Sequence, residues 1–397
     1  MINKISFRNF KLFNQDQEFE LKPMTILIGK NSSGKSALAK LPTLISQSLK
    51  GESENPFSWD NDGVVLGSNY SDLNHGKEST GLFKFKLSNE KGISFSIDIQ
   101  FGKKSLYVSY WNYNDEFILK YDLLSKCYNL NIDSKLYNCK FLGFELMEIV
   151  GYLGEFPKLD DFKFDFDYIC SYRIQPDNLN EDQPKEKNIE KVGIDGKYAY
   201  EILINDLLYS EGKLLKEVSD WYKKSFEGWG INIDFDVSRN KFYFEQKRET
   251  PSVFKTSLDN VGQGISQTLP LITKSFIKED KPSLTIIEEP ELHLHPSAHG
   301  DLAERFAESL KDKNKRYLIE THSENFILRL RRLIAENKFD YFTENDIRIY
   351  YVDYDNELNE SNLKEVIISK SGDVKNWPRK VFSESLDELI AIKNAQK

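Results

Sequence analysis

Residues 29–36 of the chain, G-K-N-S-S-G-K-S, match the pattern G-x-x-x-x-G-K-[ST] in full. The apolar run M-T-I-L-I precedes them and apolar residues at helical spacing follow, so the sequence predicts a strand, a tight loop and a helix. The backbone amides of such a loop and the helix N-terminus face phosphate oxygens. We expect Lys35 to contact the β- and γ-phosphates of ATP and the Ser36 hydroxyl to bind Mg²⁺. The other expected ATP contacts are Gly29, Lys30, Asn31, Ser32, Ser33 and Gly34.

Two carboxylates end another apolar run, S-L-T-I-I-E-E. At the C-terminal edge of a strand they would face the bound phosphates. Glu288 would then hold Mg²⁺ through its water shell, and Glu289 would polarise the attacking water. The alternative is a pair of acids that only caps a strand. Because the phosphate loop occurs in the same chain, we favour the catalytic interpretation.

A histidine and a glycine-rich segment complete the candidate site. His322, in T-H-S after a further apolar run, can donate a hydrogen bond to the terminal phosphate, although lone histidines are more often structural. The segment N-V-G-Q-G-I-S-Q precedes an amphipathic helix and offers a second anion-binding N-terminus, with Gly262, Gly264 and Ser266. The chain would then have two phosphate-binding helix N-termini, although a single bound nucleotide needs only one of them from the same chain. A head-to-tail homodimer, in which each subunit places this end on its partner's γ-phosphate, resolves the excess.

The net charge of −9 argues against a protein that coats nucleic acid by bulk electrostatics. Two basic strips would permit local binding, with a solvated helix face as the simpler interpretation. They consist of Lys311, Lys313, Lys315 and Arg316, and of Arg329, Arg331 and Arg332. The three cysteines lack metal-like spacing, and no run reaches the ~18 apolar residues of a membrane span. We therefore expect a cytoplasmic protein without membrane contact.

The pattern of apolar residues divides the rest of the chain. Short alternating runs at 81–122 predict an antiparallel meander, and residues 140–160 look helical and then acidic. Residues 177–191 read as an exposed loop. The last third alternates strands and helices, which predicts an α/β sheet with a parallel core.

Taken together, these segments occur in the order of a known family. The N-terminal I-x-x-I-S-F-R-N-F, the phosphate loop, G-Q-G-I-S-Q, I-I-E-E-P-E-L-H-L-H-P and E-T-H-S-E-N-F resemble ABC-type ATPases of the RecF/SMC/OLD kind. The resemblance implies an α/β ABC ATPase head with a parallel-core sheet, flanking helices, an antiparallel β subdomain and a mixed α+β insert. It also implies that the glycine-rich segment is the signature motif, Glu289 the catalytic base and His322 the switch residue.

The same resemblance implies two halves of one head around an insert. The expected parts are the N-terminal half (1–100), the mixed insert (101–250), the C-terminal half (251–370) and a C-terminal extension (371–397). Arg173 has two possible interpretations. It is either a charge that acts on the partner subunit or an arginine that forms a salt bridge in the core. His293 and His295, at alternate positions of H-L-H-L-H, are either metal ligands or part of a turn, and we prefer the turn because no third ligand has suitable spacing.

One branch of the family shows a further similarity. The segments Y-R-I-Q-P, V-G-I-D-G-K-Y and G-D-V-K-N-W-P-R-K-V-F are similar to stand-alone bacterial ATPases with a C-terminal extension, of the PtuA and AriA kind. That similarity implies a separate effector, a nuclease or toxin, in anti-phage defence. OLD-type relatives carry a nuclease domain with an acidic D-x-D. We interpret Asp353 and Asp355 as turn residues instead, because only 42 residues follow Asp355.

Three functions remain in competition. The first is an ATP-gated dimeric switch that controls the effector. The second is a RecF-like DNA-repair ATPase that uses the basic strips on DNA ends. The third is a scaffold that ATP holds together with little turnover.

Overall fold

The computed structural model describes residues 1–59, 61–102, 105–174, 189–238, 241–378, 381–382 and 384–396. Its strands are β1 (Ile2–Arg8), β2 (Gln17–Glu20), β3 (Met24–Gly29), β4 (Gly81–Asn89), β5 (Ser94–Gly102), β6 (Ser105–Tyr113), β7 (Phe117–Asp122), β8 (Cys127–Leu130), β9 (Leu136–Tyr137), β10 (Cys139–Leu142), β11 (Glu145–Ile149), β12 (Asp165–Ile169), β13 (Gly230–Asp236), β14 (Lys241–Arg248), β15 (Phe254–Ser257), β16 (Ser283–Glu288), β17 (Lys315–Glu320), β18 (Ile347–Asp355), β19 (Glu360–Ile368) and β20 (Val374–Lys375). Its helices are α1 (Lys35–Leu49), α2 (Tyr70–Leu73), α3 (Tyr198–Tyr209), α4 (Lys213–Ser225), α5 (Gln263–Phe276), α6 (Pro296–Ser309), α7 (Glu324–Ala335) and α8 (Glu384–Ala395).

A seven-stranded sheet carries the candidate site. Its order is β12-β16-β17-β3-β18-β19-β20, and the first five strands are parallel. Buried on both faces, β3 and β16 read as nearly continuous apolar runs rather than alternating ones, and β17 is buried along its whole length although it begins with Lys315 and Arg316. Since the strands are parallel, the C-terminal ends of β3, β16 and β17 meet at one edge. β17 lies between β3 and β16, which places those two strands about 10 Å apart.

An antiparallel sheet of eight strands packs next to it, in the order β2-β1-β4-β5-β6-β7-β8-β9. The meander expected at 81–122 is confirmed by β4 to β7. The expected domain boundary after residue 100 falls inside β5, and the sheet continues on both sides of it. The N-terminal strands and the first part of the expected insert thus share one sheet.

The helix expected in residues 140–160 is wrong. β10 and β11 form an antiparallel hairpin there. Gly143 makes its turn with a φ of 56°, and a Cβ at this position would lie 2.1 Å from the carbonyl oxygen of Ser48. The turn therefore requires glycine and docks against the end of α1. Of the loop expected at 177–191, residues 175–188 lie outside the described part.

Two hydrophobic cores lie on opposite faces of the seven-stranded sheet. The first contains α1 and the inner face of the eight-stranded sheet, and the second contains α5, α6 and α7. β3 contributes to both, because successive side chains of a strand point to opposite faces. Leu27 belongs to the first core, and Ile26 and Ile28 belong to the second.

The acidic pair near the C-terminus lies at the end of a strand. β18 includes Asp353 and Asp355, and Asp353 forms an ion pair with Lys364 on the neighbouring antiparallel β19. Asp353 and Asp355 were expected in a turn, but both belong to β18, and the turn begins after Asp355. Within the described part of the chain, no helix has the length and apolar character to cross a membrane.

Candidate functional site

The loop at 29–36 joins β3 to α1, as expected. A Cβ on Gly29 would lie 2.6 Å from the carbonyl oxygen of Val352, and Gly34 has a φ of 100°, so both positions require glycine. The hydroxyl of Ser361 donates to the carbonyl oxygen of Ser33 at 2.7 Å and ties the loop to β19. The side chains of residues 30–32 are exposed. The backbone of the loop is thus held in place, and its outer side is open to a ligand.

Lys35 and Ser36 lie at the start of α1, against the end of β17. The Lys35 ammonium is buried, donates to the carbonyl oxygen of Lys30 at 2.8 Å, and lies 3.7 Å from Glu320 Oε1. The Ser36 hydroxyl donates to the same Oε1 at 3.1 Å. Burial lowers the pKa of Lys35, and the carboxylates of Glu320 and Glu289 oppose this shift. The two side chains expected to bind phosphate and Mg²⁺ therefore share one carboxylate.

Glu320 is a further residue of the candidate site that was not among the residues expected from the sequence. It ends β17, where it pairs in register with Glu288 on one side and Leu27 on the other. Burial raises its pKa to about 7, against the opposing charge of Lys35. Its Oε2 is buried and has no hydrogen-bond partner. A carboxylate at the end of an apolar strand, the signal used for Glu288, is also present in Y-L-I-E before T-H-S.

Glu288 receives its hydrogen bonds from residues other than Ser36, and the water-mediated Mg²⁺ contact expected of Glu288 stays a prediction. The Tyr168 hydroxyl donates to Glu288 Oε1, and the Ser171 amide donates to Oε2 at 3.4 Å. Both partners come from the β12 side of the sheet, whereas β17 separates Glu288 from the loop. Burial and the Glu288 carboxylate raise the pKa of Tyr168 well above its usual range, so this hydroxyl stays protonated as a donor.

Glu289 follows β16 with a φ of 42°, and its amide donates to the carbonyl oxygen of Glu320 at 2.8 Å. Potential ligand atoms of Glu289, Glu320 and His322 lie within 4.8 Å of one another. The His322 amide is fixed by Glu291 Oε1 at 2.6 Å. Burial, and then the charge of Lys35, lowers the pKa of His322, so its imidazole is neutral at pH 7. The structure thus brings Lys35, Glu289 and His322 together.

Arg173 is a core residue that supports this turn. Only 1% of it is exposed, which excludes a charge presented to a second subunit. One guanidinium nitrogen donates to the carbonyl oxygens of Glu288, at 2.6 Å, and Glu289, at 3.0 Å. The core interpretation is therefore confirmed, although its partners are backbone carbonyls rather than a carboxylate. Burial lowers the pKa of Arg173 to about 10, and the side chain remains charged at neutral pH.

The glycine-rich segment forms the N-terminus of α5, packed on the turn that follows Glu289. A Cβ on Gly264 would lie 2.4 Å from the carbonyl oxygen of His293. Ser266 is buried and its hydroxyl donates to the carbonyl oxygen of Gln263 at 3.1 Å, so it faces its own subunit. The expected contact of Ser266 with a partner's nucleotide stays a prediction. Gly262 and Gln263 are the exposed residues of this end.

His293 and His295 belong to a turn. His293 is exposed with a φ of 66°, and His295 caps α6 by accepting a hydrogen bond from the Ser297 amide at 3.3 Å. Among the described residues, Glu289, Glu320 and His322 are the only group of three or more side chains placed to hold a metal ion. The turn interpretation is confirmed, and the metal alternative is not.

The two basic strips are not continuous charged faces. Lys315 and Arg316 are buried in β17, where Arg316 donates to the carbonyl oxygens of Ile2 and Leu21. On the second strip Arg329 pairs with two carboxylates of α6, at 2.6 and 3.1 Å. Lys311, Lys313 and Arg332 are exposed, so each strip is only partly a charged surface, because burial and pairing remove charges that a residue count includes.

Comparisons with known proteins identify the family and the fold of the chain. The sequence matches the family model AAA_15, described as an AAA ATPase domain, over residues 1–327. No curated protein matches the sequence. The solved structure of an SmcHead bound to the C-winged helix domain of ScpA is 13% identical, covers 93% of this chain and 98% of its own, and gives a TM-score of 0.51. This likeness confirms the expected head fold.

Two further SMC heads are similar at lower scores. The Smc head domain with an extended coiled coil from Pyrococcus furiosus, bound to the C-terminal domain of ScpA, is 13% identical with a TM-score of 0.48, covering 99% of both chains. The SMC head domain from Thermotoga maritima is 12% identical with a TM-score of 0.42, covering 92% of this chain and 98% of its own.

Proposed function

This chain belongs to the AAA ATPase domain family, and from that premise we propose that it binds Mg²⁺ and ATP at residues 29–36 and hydrolyses the ATP with Glu289. The observation that carries the proposal is the convergence at one sheet edge. The loop after β3, Glu289 after β16 and His322 after β17 come from three separate segments of the sequence and meet around Lys35. A strand cap without catalytic function would not need this arrangement.

Each residue has a distinct part in the reaction. The loop amides and Lys35 bind the phosphates, and the neutral His322 donates to the terminal phosphate. Glu289 orients a water molecule and accepts its proton as the oxygen attacks the γ-phosphorus, while the bond to the bridging oxygen of ADP breaks. The Ser36 hydroxyl and the unpartnered Glu320 Oε2 are suitable oxygen ligands for Mg²⁺, which when bound would supply positive charge to offset that of the phosphates.

The second part of the proposal is an ATP-dependent homodimer. The α5 N-terminus presents Gly262 and Gln263 to solvent and belongs to the second core, whereas the phosphate loop and α1 belong to the first. An exposed helix N-terminus suits the γ-phosphate of a nucleotide bound on another copy of the chain. Closure of two copies would therefore complete each site with residues of the other subunit.

Gly262→Tyr is expected to abolish the ATP-dependent dimer and to leave the subunit folded. A Cβ at Gly262 meets no heavy atom within 4 Å, so the change is tolerated in one chain. The added ring would occupy the surface that faces the partner's nucleotide. We expect dimer affinity to fall by at least about 100-fold, or about 3 kcal/mol. Light scattering after gel filtration, with ATP and in a Glu289→Gln background, measures the effect.

Gly262→Ala in the same background is the matched control, because it adds only one carbon and should keep the dimer. Binding of ATP to the Gly262→Tyr monomer should equal that of the parent. A Gly262→Tyr protein that dimerises as tightly as the parent would contradict the proposed use of this surface.

We propose further that the dimer is a switch for a separate effector, a nuclease or toxin, in anti-phage defence. The sequence similarity to PtuA-like and AriA-like ATPases supports this role. The DNA-repair alternative has less support, because three of its seven basic residues, Lys315, Arg316 and Arg329, are buried or paired. The scaffold alternative differs only in turnover and is tested by the Glu289 variant discussed below.

The defence role predicts protection that depends on nucleotide binding. The gene and its immediate neighbours, expressed together in a bacterial host, should reduce the number of phage plaques. Lys35→Ala should remove the protection at equal protein level. Undiminished protection by Lys35→Ala, or full protection by the ATPase gene without its neighbours, would contradict the switch.

A further inference from the structure

Glu320 lies closer to the phosphate loop than either residue of the Glu288–Glu289 pair. It ends β17, the strand that is hydrogen-bonded directly to β3, and Glu320 itself pairs with Leu27 near the start of the loop. β16, which carries Glu288, is one strand further away, at about 10 Å from β3. Sheet order alone therefore places the Glu320 carboxylate next to Ser36 and Lys35.

The contacts of the two acids differ accordingly. Glu320 Oε1 receives the Ser36 hydroxyl at 3.1 Å and lies 3.7 Å from the Lys35 ammonium. Both oxygens of Glu288 have other donors, the Tyr168 hydroxyl and the Ser171 amide. Glu288 is thus already satisfied by protein groups, whereas Glu320 binds the two side chains on which Mg²⁺ and phosphate would depend.

The second oxygen of Glu320 has no partner at all. Only 3% of Glu320 is exposed, and its Oε2 is a buried acceptor without a hydrogen bond. A buried carboxylate oxygen left in this state costs free energy, and a bound cation removes that cost. Potential ligand atoms of Glu289 and His322 lie within 4.8 Å of one carboxylate oxygen of Glu320, so Glu320 belongs to a group of ligands rather than to an isolated pocket.

We propose that Glu320, rather than Glu288, is the carboxylate that binds the divalent cation of the nucleotide, together with the Ser36 hydroxyl. The inference rests on the proposed ATP binding and deepens it. Without nucleotide, Glu320 holds Lys35 and Ser36 together. With cation and nucleotide bound, Glu320 turns from these partners to the cation, and Lys35 becomes free for the phosphates. Glu320 then couples cation binding to release of the phosphate-binding lysine.

The test compares Glu320→Gln with Glu288→Gln, two isosteric changes at neighbouring positions. The readout is equilibrium binding of a fluorescent ATP analogue, measured with MgCl₂ and with EDTA, which needs no turnover. For the wild type, Mg²⁺ should strengthen binding. We expect Glu320→Gln to reduce this Mg²⁺-dependent gain by about 10- to 100-fold and Glu288→Gln to retain most of it. In EDTA, Glu320→Gln should bind at least as tightly as wild type, because Lys35 has lost a competing anion.

The assignment to Glu320 is overturned if the Mg²⁺-dependent gain in affinity for the ATP analogue is lost in Glu288→Gln alone. It is also overturned if both variants lose this gain equally. A full gain in Glu320→Gln overturns it as well. Thermal unfolding of each variant shows whether the fold is intact, and Glu320→Asp, which keeps the charge on a shorter side chain, should restore part of the gain. If the wild type binds no ATP analogue with or without Mg²⁺, the proposed function fails, which is a different result from a failure of Glu320.

Discussion

Glu289→Gln is expected to lower the rate of ATP hydrolysis by about 10²- to 10⁴-fold and to leave ATP binding intact. The amide side chain has the size of the carboxylate but cannot accept the proton of the attacking water. The backbone around it is fixed by two hydrogen bonds, from the Glu289 amide to Glu320 and from Arg173 to the Glu289 carbonyl. The substitution therefore removes the base and little else.

Phosphate release at saturating ATP measures this effect, and Glu336→Gln at the exposed end of α7 is the matched control. Because ATP stays bound, the Glu289→Gln protein should also accumulate as the dimer. Negligible phosphate release by the wild type itself would contradict the enzyme proposal and favour the scaffold. Turnover by Glu289→Gln within threefold of wild type, about 0.7 kcal/mol, would show that another residue is the base.

Lys35→Ala is expected to weaken ATP binding by about 10- to 150-fold. This range corresponds to the loss of a charge-assisted hydrogen bond worth about 1.5–3 kcal/mol. Lys35 is the buried cation of the loop, and it is the one that Glu320 holds in the absence of nucleotide. Its removal takes away the point charge that the β- and γ-phosphates need. Titration with a fluorescent ATP analogue measures the change.

Lys50→Ala is the matched control, because Lys50 follows the last residue of α1, about 22 Å along the helix from Lys35. It should bind ATP as the wild type does. An unchanged ATP affinity of Lys35→Ala would contradict nucleotide binding at this loop, and with it the functions proposed above.

Local patterns in the sequence were sufficient for the loop and for most of the candidate site. Gly29, Gly34 and Lys35 lie within eight consecutive residues, and the loop needs only its own backbone and one flanking strand and helix. Glu289 and His322 could be placed because each follows an apolar run that predicts a buried strand. These inferences depended on neighbours in sequence, which the fold preserves.

The contacts of Glu320 and Ser266 could not be predicted in this way, because they depend on distant segments, although the carboxylate at the end of Y-L-I-E was itself visible in the sequence. The contact of Glu320 with Ser36 arises because β17 is inserted between β3 and β16, a fact of sheet order. Ser266 faces inward because α5 packs on the turn at His293. Arg316 was counted as surface charge although Ile2 and Leu21 bind it in the interior. A residue count does not reveal such partners.

The separation of the two hydrophobic cores has a genetic consequence for the proposed dimer. The phosphate loop and α1 lie on one face of the seven-stranded sheet, and the α5 N-terminus packs with the core of the other face. A Lys35→Ala allele would damage only the phosphate loop, and a Gly262→Tyr allele would damage only the α5 N-terminus. Each mutant chain could therefore still contribute the other of these two parts to a composite site. A cell that carries both alleles would assemble mixed dimers with one intact site, so two inactive alleles would complement each other.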